Sequence, residues 1–155
     1  MPYLELDSIF HLPGWRELPP EEFRRKITEF VAADSWVVDG NYSVVRDLVW
    51  QRADTVIWID LPRRLVMRQL VPRTFGRLVR RTELWNGNRE PWSNAWSVDP
   101  QRSILAWAWT QHDNYRQRYG AAMADPAFAH LWFRVLRTRR EIEELLAELG
   151  QSTTA

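Results

Sequence analysis

Few places in this 155-residue chain combine residue types that could do chemistry. One is the run Trp36-Val37-Val38-Asp39-Gly40-Asn41-Tyr42, an apolar stretch that ends in a carboxylate, a glycine and an amide. On a strand of an open parallel sheet those groups arrive at the C-terminal end, where such sheets bind ligands. The plainer reading makes Asp39 and Asn41 turn formers that cap the next helix. A second place is arginine: Arg63, Arg64, Arg68, Arg73, Arg77, Arg80 and Arg81 lie between Leu61 and Thr82 without one acid. Arg73, Arg77, Arg80 and Arg81 are spaced to share one face of a helix. The formal charge of +1 hides this layout, since the rest of the chain without those seven arginines carries −6. A local cationic patch on a mildly acidic body suits an anion such as phosphate better than it suits duplex nucleic acid, which asks for a broad basic face. A solvated helix face is the other reading of the same residues.

Other chemistries find little support. His11, His112 and His130 are scattered, so they build no metal triad, and His112 beside Asp113 reads as structural on a long helix. The absence of cysteine removes disulfides, thiolate nucleophiles and zinc–thiolate sites. No apolar run approaches a membrane span, and the start MPYLELDSIF lacks a signal-peptide pattern, which leaves the cytoplasm as the expected compartment.

The elements that must position these residues alternate between strand and helix. Residues 3–6 read as a short strand. Pro19, Pro20, Glu21 and Glu22 open a helix that places Phe23, Ile27, Phe30 and Val31 on one stripe and ends near Ala33. Residues 36–39 read as a buried strand, with Ser43 capping a short helix that turns Val45, Leu48 and Val49 inward. Residues 55–60 are the clearest buried strand, followed by Pro62 and a long arginine-rich helix in which Pro72 predicts a kink. Residues 82–99 have no sustained periodicity and read as a long, moving loop. A second long helix carries Ile104, Trp107, Ala108, Gln111 and Tyr115. Residues 131–136 form a last strand, and Ile142, Leu145, Leu146 and Leu149 line a closing helix before Gly150. This alternation implies βαβ crossovers and a mainly parallel sheet covered on both faces, as one domain over residues 1–150 with a frayed tail at 151–155.

A succession of phrases adds a family resemblance: Leu4-Glu5-Leu6-Asp7, Pro13-Gly14-Trp15, Asp39-Gly40-Asn41-Tyr42, Arg52-Ala53-Asp54-Thr55, Leu61-Pro62 and Trp85-Asn86-Gly87-Asn88-Arg89-Glu90. Their order and spacing resemble the P-loop adenylate-kinase-like proteins, in the subgroup labelled topology modulation proteins. The resemblance implies an α/β P-loop NTPase fold of the nucleoside-monophosphate-kinase type and an ATP-dependent phosphotransferase acting on a small phosphorylated or phosphate-accepting substrate. It makes Asp39 the carboxylate that holds Mg2+ through water, with Arg73 and Arg77 as catalytic lid arginines. Asn41, Arg46, Arg80, Arg81 and Arg89 would meet substrate, and Asp7 would face the phosphate acceptor, its plainer role being the N-cap of a turn. Positioned arginines and a metal ion stabilise the charge spread over a phosphoryl group in transfer.

The same resemblance exposes an omission. A phosphate loop needs GxxxxGK followed by Ser or Thr between a strand and a helix, and the only lysine, Lys26, has no glycine near it. The expectation is therefore that Met1 is an internal start, with the first strand, the P-loop and the first helix lying in about 25 to 30 upstream residues. ATP and Mg2+ belong to the complete family member, and the chain as written should not transfer phosphate. The strands at 36–39 and 55–60 would each lack a neighbour, leaving an edge open to a strand-exchanged homodimer. A rival expectation is a non-catalytic anion- or nucleic-acid-binding module that uses the arginine helix with Trp85, Trp92 and Trp96 as stacking surfaces.

Overall fold

The computed structural model describes residues 1–95, 97–100 and 103–152. The protein is mixed α/β, and its strands form short pairs: β1 (Tyr3–Glu5) with β4 (Val37–Asp39), β2 (His11–Leu12) with β3 (Arg16–Glu17), and β5 (Thr55–Ile59) with β6 (Trp132–Leu136). The first and last pairs are parallel, as the alternating pattern implies, whereas β2–β3 is an antiparallel hairpin. Among the described residues β4 pairs only with β1 and β5 only with β6, in place of one continuous sheet. No helix among them is long and apolar enough to cross a membrane. The chain divides into two compact units, one of Met1–Asp54 and Phe75–Trp92, the other of Thr55–Thr74 and Ser93–Ala155.

In the first unit, α1 (Leu6–Phe10) follows β1 directly, and α2 (Pro20–Val31) begins with proline at its first turn and Glu21 and Glu22 near its positive end. Phe23, Ile27 and Val31 recur on one face of α2, and all three are buried with Leu6, Leu18 and Val45. Fully burying side chains of this size contributes about 1.5–3 kcal/mol each. Leu4 and Val38, paired across β1 and β4, pack against the same cluster. The opposite face of that pair stays open, with Val37 45% exposed. The helix after the Asp39 turn is α3 (Arg46–Arg52). Its N-cap is Val45 without a side-chain hydrogen bond, so Ser43 does not cap it as its position suggested.

In the second unit, Val56, Trp58, Phe133 and Val135 share one face of β5–β6 by register. The Trp58 ring stacks on Tyr119 of α6 (Ile104–Ala124) at 4.9 Å between centroids and an angle of 14°. Ser103 caps α6, its hydroxyl accepting from the Ala106 amide. On the other face, Arg134 donates to Glu148 of α7 (Arg139–Ser152) at 2.5 Å, so α7 lies over the β6 side. Thr138 and Glu141 form a capping box at its start, each side chain accepting from the other's amide. That helix continues through Gly150 to Ser152 rather than stopping before the glycine, and the remainder of the expected tail lies outside the described residues.

Between the clearest strand and the loop, α4 (Arg63–Arg80) runs on through Pro72 without interruption. It ends where Arg81 takes a left-handed φ of 49° and the Thr82 amide closes back on the Arg77 carbonyl, a tight helix stop. Arg81 therefore leaves the helical face shared by Arg73, Arg77 and Arg80. The loop expected at 82–99 has structure of its own: a bridge between Glu83 and Arg89 closes around a 3₁₀ turn at Trp85–Gly87, and α5 (Trp92–Ala95) follows.

Candidate functional site

The richest polar constellation lies in the first unit, at the C-terminal end of β1–β4. Glu5 and Asp39 are register partners at the last position of the two strands. Just beyond Glu5, Asp7 in α1 and His11 after it are four residues apart, which places imidazole Nε2 4.0 Å from Asp7 Oδ1. The Tyr42 hydroxyl donates to the same Asp7 oxygen and stands 3.5 Å from His11 Nε2. Asp7, His11 and Tyr42 thus form one half-buried network, in which the phenol can relay a proton between imidazole and carboxylate. Gly40 allows this arrangement: its φ is +112°, and a Cβ there would sit 3.1 Å from Leu6 Cβ.

Aromatic rings wall the imidazole. Phe10 and Trp15 meet it edge-on at 5.2 and 5.3 Å, and Trp85 stacks on it at 5.8 Å. Trp85 is carried by the 83–90 segment, which is fastened by several hydrogen bonds. Its indole donates to Glu5 at 2.8 Å, Asn86 donates to the carbonyls of Ser8 and His11, and the buried Asn88 donates to Leu12 O. Trp15 answers with its amide to Asn88 Oδ1 and its indole to Arg89 O. These bonds make residues 83–90 a clasp against the hairpin and β1.

The other sequence-expected residues distribute as follows. Arg46 donates to Asn41 Oδ1 at 2.9 Å and lies over the Trp50 ring. Asp39 is exposed and accepts from the Tyr3 hydroxyl at 3.1 Å. Burial of the phenol, and then that bond, raise the Tyr3 pKa. Arg77 stands 3.7 Å from Glu90, and Arg89 stands 3.6 Å from Glu83, so both carry carboxylate partners. Arg73, Arg80 and Arg81 are exposed and form no ion pair among the described residues; Arg73 belongs to the second unit. Trp96 lies outside the described residues. His112 is structural, as read, with Nε2 3.0 Å from the Leu61 carbonyl and Nδ1 3.2 Å from Asp113.

His11 and Tyr42 are the functional candidates that sequence reasoning passed over. The four-residue spacing of Asp7 and His11 was the signal for one of them. Among the described residues no group of three or more His, Asp or Glu side chains is placed to hold a metal ion. The residues also do not fit ATP, because no glycine-rich amide cradle with its lysine exists in the sequence. Compared with known proteins, the chain matches no family model, no curated protein and no solved structure.

Proposed function

We propose that this chain is the acceptor side of a P-loop phosphotransferase of the nucleoside-monophosphate-kinase-like type, binding a small phosphate-accepting substrate in its first unit. The observation that carries the reading is the Asp7–Tyr42–His11 network at the C-terminal end of the parallel β1–β4 pair, roofed by the clasp. A half-buried carboxylate with a phenol and an imidazole beside it is equipped to take a proton from an acceptor hydroxyl. Arg46, Arg77 and Arg89 supply guanidinium groups in the same unit for a phosphorylated substrate. No step through ATP is assigned, since the cradle is absent from these residues, and the chain alone is expected to show no ATP turnover.

Calorimetry with inorganic phosphate and a panel of nucleoside monophosphates tests the reading. At least one ligand should bind, and Asp7→Asn should weaken it about tenfold or more, the loss of one charge-assisted hydrogen bond. Absence of binding across the panel, or affinity indifferent to Asp7→Asn, would overturn it.

A second reading, an anion- or nucleic-acid-binding module, draws support from Arg64, Arg68, Arg73, Arg80 and Arg81, which are exposed and without ion pairs among the described residues. Trp85 argues against it, since its indole is committed to Glu5 and His11. Single-stranded oligonucleotide binding with a steep salt dependence would favour this reading.

A further inference from the structure

Beneath the clasp lies a side chain that changes charge near neutral pH. His11, in β2, has its imidazole 24% exposed, so water exchanges protons with it. Imidazole is the side chain that titrates between about pH 5 and 8. Helix α1, β3 and the 3₁₀ turn Trp85–Gly87 pack against β2, and the Tyr42 hydroxyl reaches the ring from the turn after β4. Helix α1 brings one charged group, Asp7, and β3 brings Arg16 and Glu17. Glu17 is the register partner of His11, which sets both side chains on one side of the hairpin. Arg16 pairs with Leu12 on the other side, and its Nε donates to the Pro13 carbonyl. The turn of the clasp carries no charge of its own, and the charges that flank it are paired, Glu83 with Arg89 at 3.6 Å and Glu90 with Arg77 at 3.7 Å. From β1, Glu5 accepts the Trp85 indole proton and so adds negative charge behind that ring.

These surroundings favour a positive ring. The Tyr42 proton is already given to Asp7, so Nε2 faces two accepting oxygens, at 3.5 and 4.0 Å. A proton on Nε2 answers them, and the second ring proton then places a full charge between Asp7, Glu17 and the face of Trp85. The Trp85 and His11 centroids are 5.8 Å apart with the planes at 27°, within the reach of a cation–π contact. Asp7 and Glu17 belong to α1 and the hairpin, and their relation to His11 does not pass through the clasp. Trp85 is different, because it arrives and leaves with the clasp. Asn86 donates to the His11 carbonyl, so the same turn also grips the backbone that carries the imidazole.

The geometry points to His11 as a pH-sensitive pin of the clasp: the imidazolium holds Trp85 in place, and the neutral ring holds it less firmly. The charged form gains the contact, so the added grip is present on the acid side of the imidazole titration and is lost as pH rises through it. The pin concerns closure of the clasp alone and stands independently of the substrate reading.

Hydrogen exchange at the Leu84 and Asn88 amides, which bond within the clasp, reads its closure in the full chain. Their protection factors, corrected for the intrinsic pH dependence of exchange, should be about two- to fivefold higher at about pH 5.5 than at about pH 8, the range of an exposed cation–π contact. His11→Phe keeps a ring beside Trp85 that cannot be charged, and it should remove this pH dependence. The imidazole C–H resonance of His11 supplies a second measurement. By the reciprocity of linked equilibria, Trp85→Leu should move the midpoint of its titration to lower pH. Equal protection at the two pH values in the parent, a pH dependence that survives in His11→Phe, or a His11 midpoint indifferent to Trp85→Leu would each overturn the proposal.

Discussion

Trp85 Nε1 donates to Glu5 Oε2 at 2.8 Å, tying the tip of the clasp to the end of β1 across eighty residues of chain. Trp85→Phe keeps a smaller ring beside His11 and deletes the indole donor. The unfolding free energy of the protein should fall by about 1.5–3 kcal/mol, the usual worth of a hydrogen bond to a charged group. Amides of Leu84 and Asn88, which bond within the clasp, should be protected from hydrogen exchange in the parent and lose protection in the variant. If both amides exchange as freely in the parent as in an unstructured peptide, the segment is a moving loop after all and the clasp does not hold in solution.

Gly40 and Gly120 should respond to alanine in opposite directions. At Gly40 the positive φ and the 3.1 Å approach of Leu6 Cβ leave no comfortable place for a methyl group, and Gly40→Ala should cost about 1–3 kcal/mol. At Gly120, inside α6, a Cβ meets nothing within 4 Å, and Gly120→Ala should gain about 0.5–1 kcal/mol from helix propensity. Urea midpoints of the two variants measure both. A neutral Gly40→Ala would mean that the Asp39–Gly40–Asn41 turn is looser than its geometry.

Arg24 grips Asp47 with two hydrogen bonds of 2.8 Å, and these hold the Asp47 carboxyl below its ordinary pKa. A carboxyl depressed in the folded state stabilises the fold above its unfolded value, about 3.9, and that contribution is lost as pH falls through the folded value. Stability should therefore decline on the acid side from about pH 5 downward, and Asp47→Asn should flatten the decline. The flattening should be partial, because Asp113, lowered by Arg63 and then by His112, adds a second contribution. Urea midpoints between about pH 6 and pH 3 provide the comparison. An acid limb identical in the variant would remove the ion pair from the account.

What could be read from the sequence follows the length of the physical signal. Helix α2 declares itself through Pro20, two acids and the Phe23, Ile27 and Val31 spacing, β5 through an unbroken β-branched and aromatic run, and β6 through a mainly apolar run interrupted by Arg134. Helix α1, with five residues, and the two-residue strands of the β2–β3 hairpin are too short to show a period. The clasp is invisible to periodicity for another reason: Asn86, Asn88 and Trp85 act through side-chain hydrogen bonds to groups more than seventy residues away. Within the candidate site, the turn motif marked Asp39, Gly40 and Asn41, while the Arg46 bond to Asn41 shows only in the structure. The network on Asp7 did not, because Tyr42 reaches back to it only once β4 lies beside β1.

The chain passes between its two units three times, after residues 54, 74 and 92. Neither unit can be made as an uninterrupted stretch on the ribosome. Strand β5 is finished at Ile59, yet its partner begins only at Trp132, so the nascent chain carries an unpaired apolar strand while more than seventy further residues are added. At about 5–20 residues per second the wait is on the order of 4–15 seconds, long compared with the about 1–10 microseconds of hairpin formation. During synthesis β5 thus waits without its partner, and expression of this protein should be more sensitive to slowed elongation between residues 60 and 132 than elsewhere.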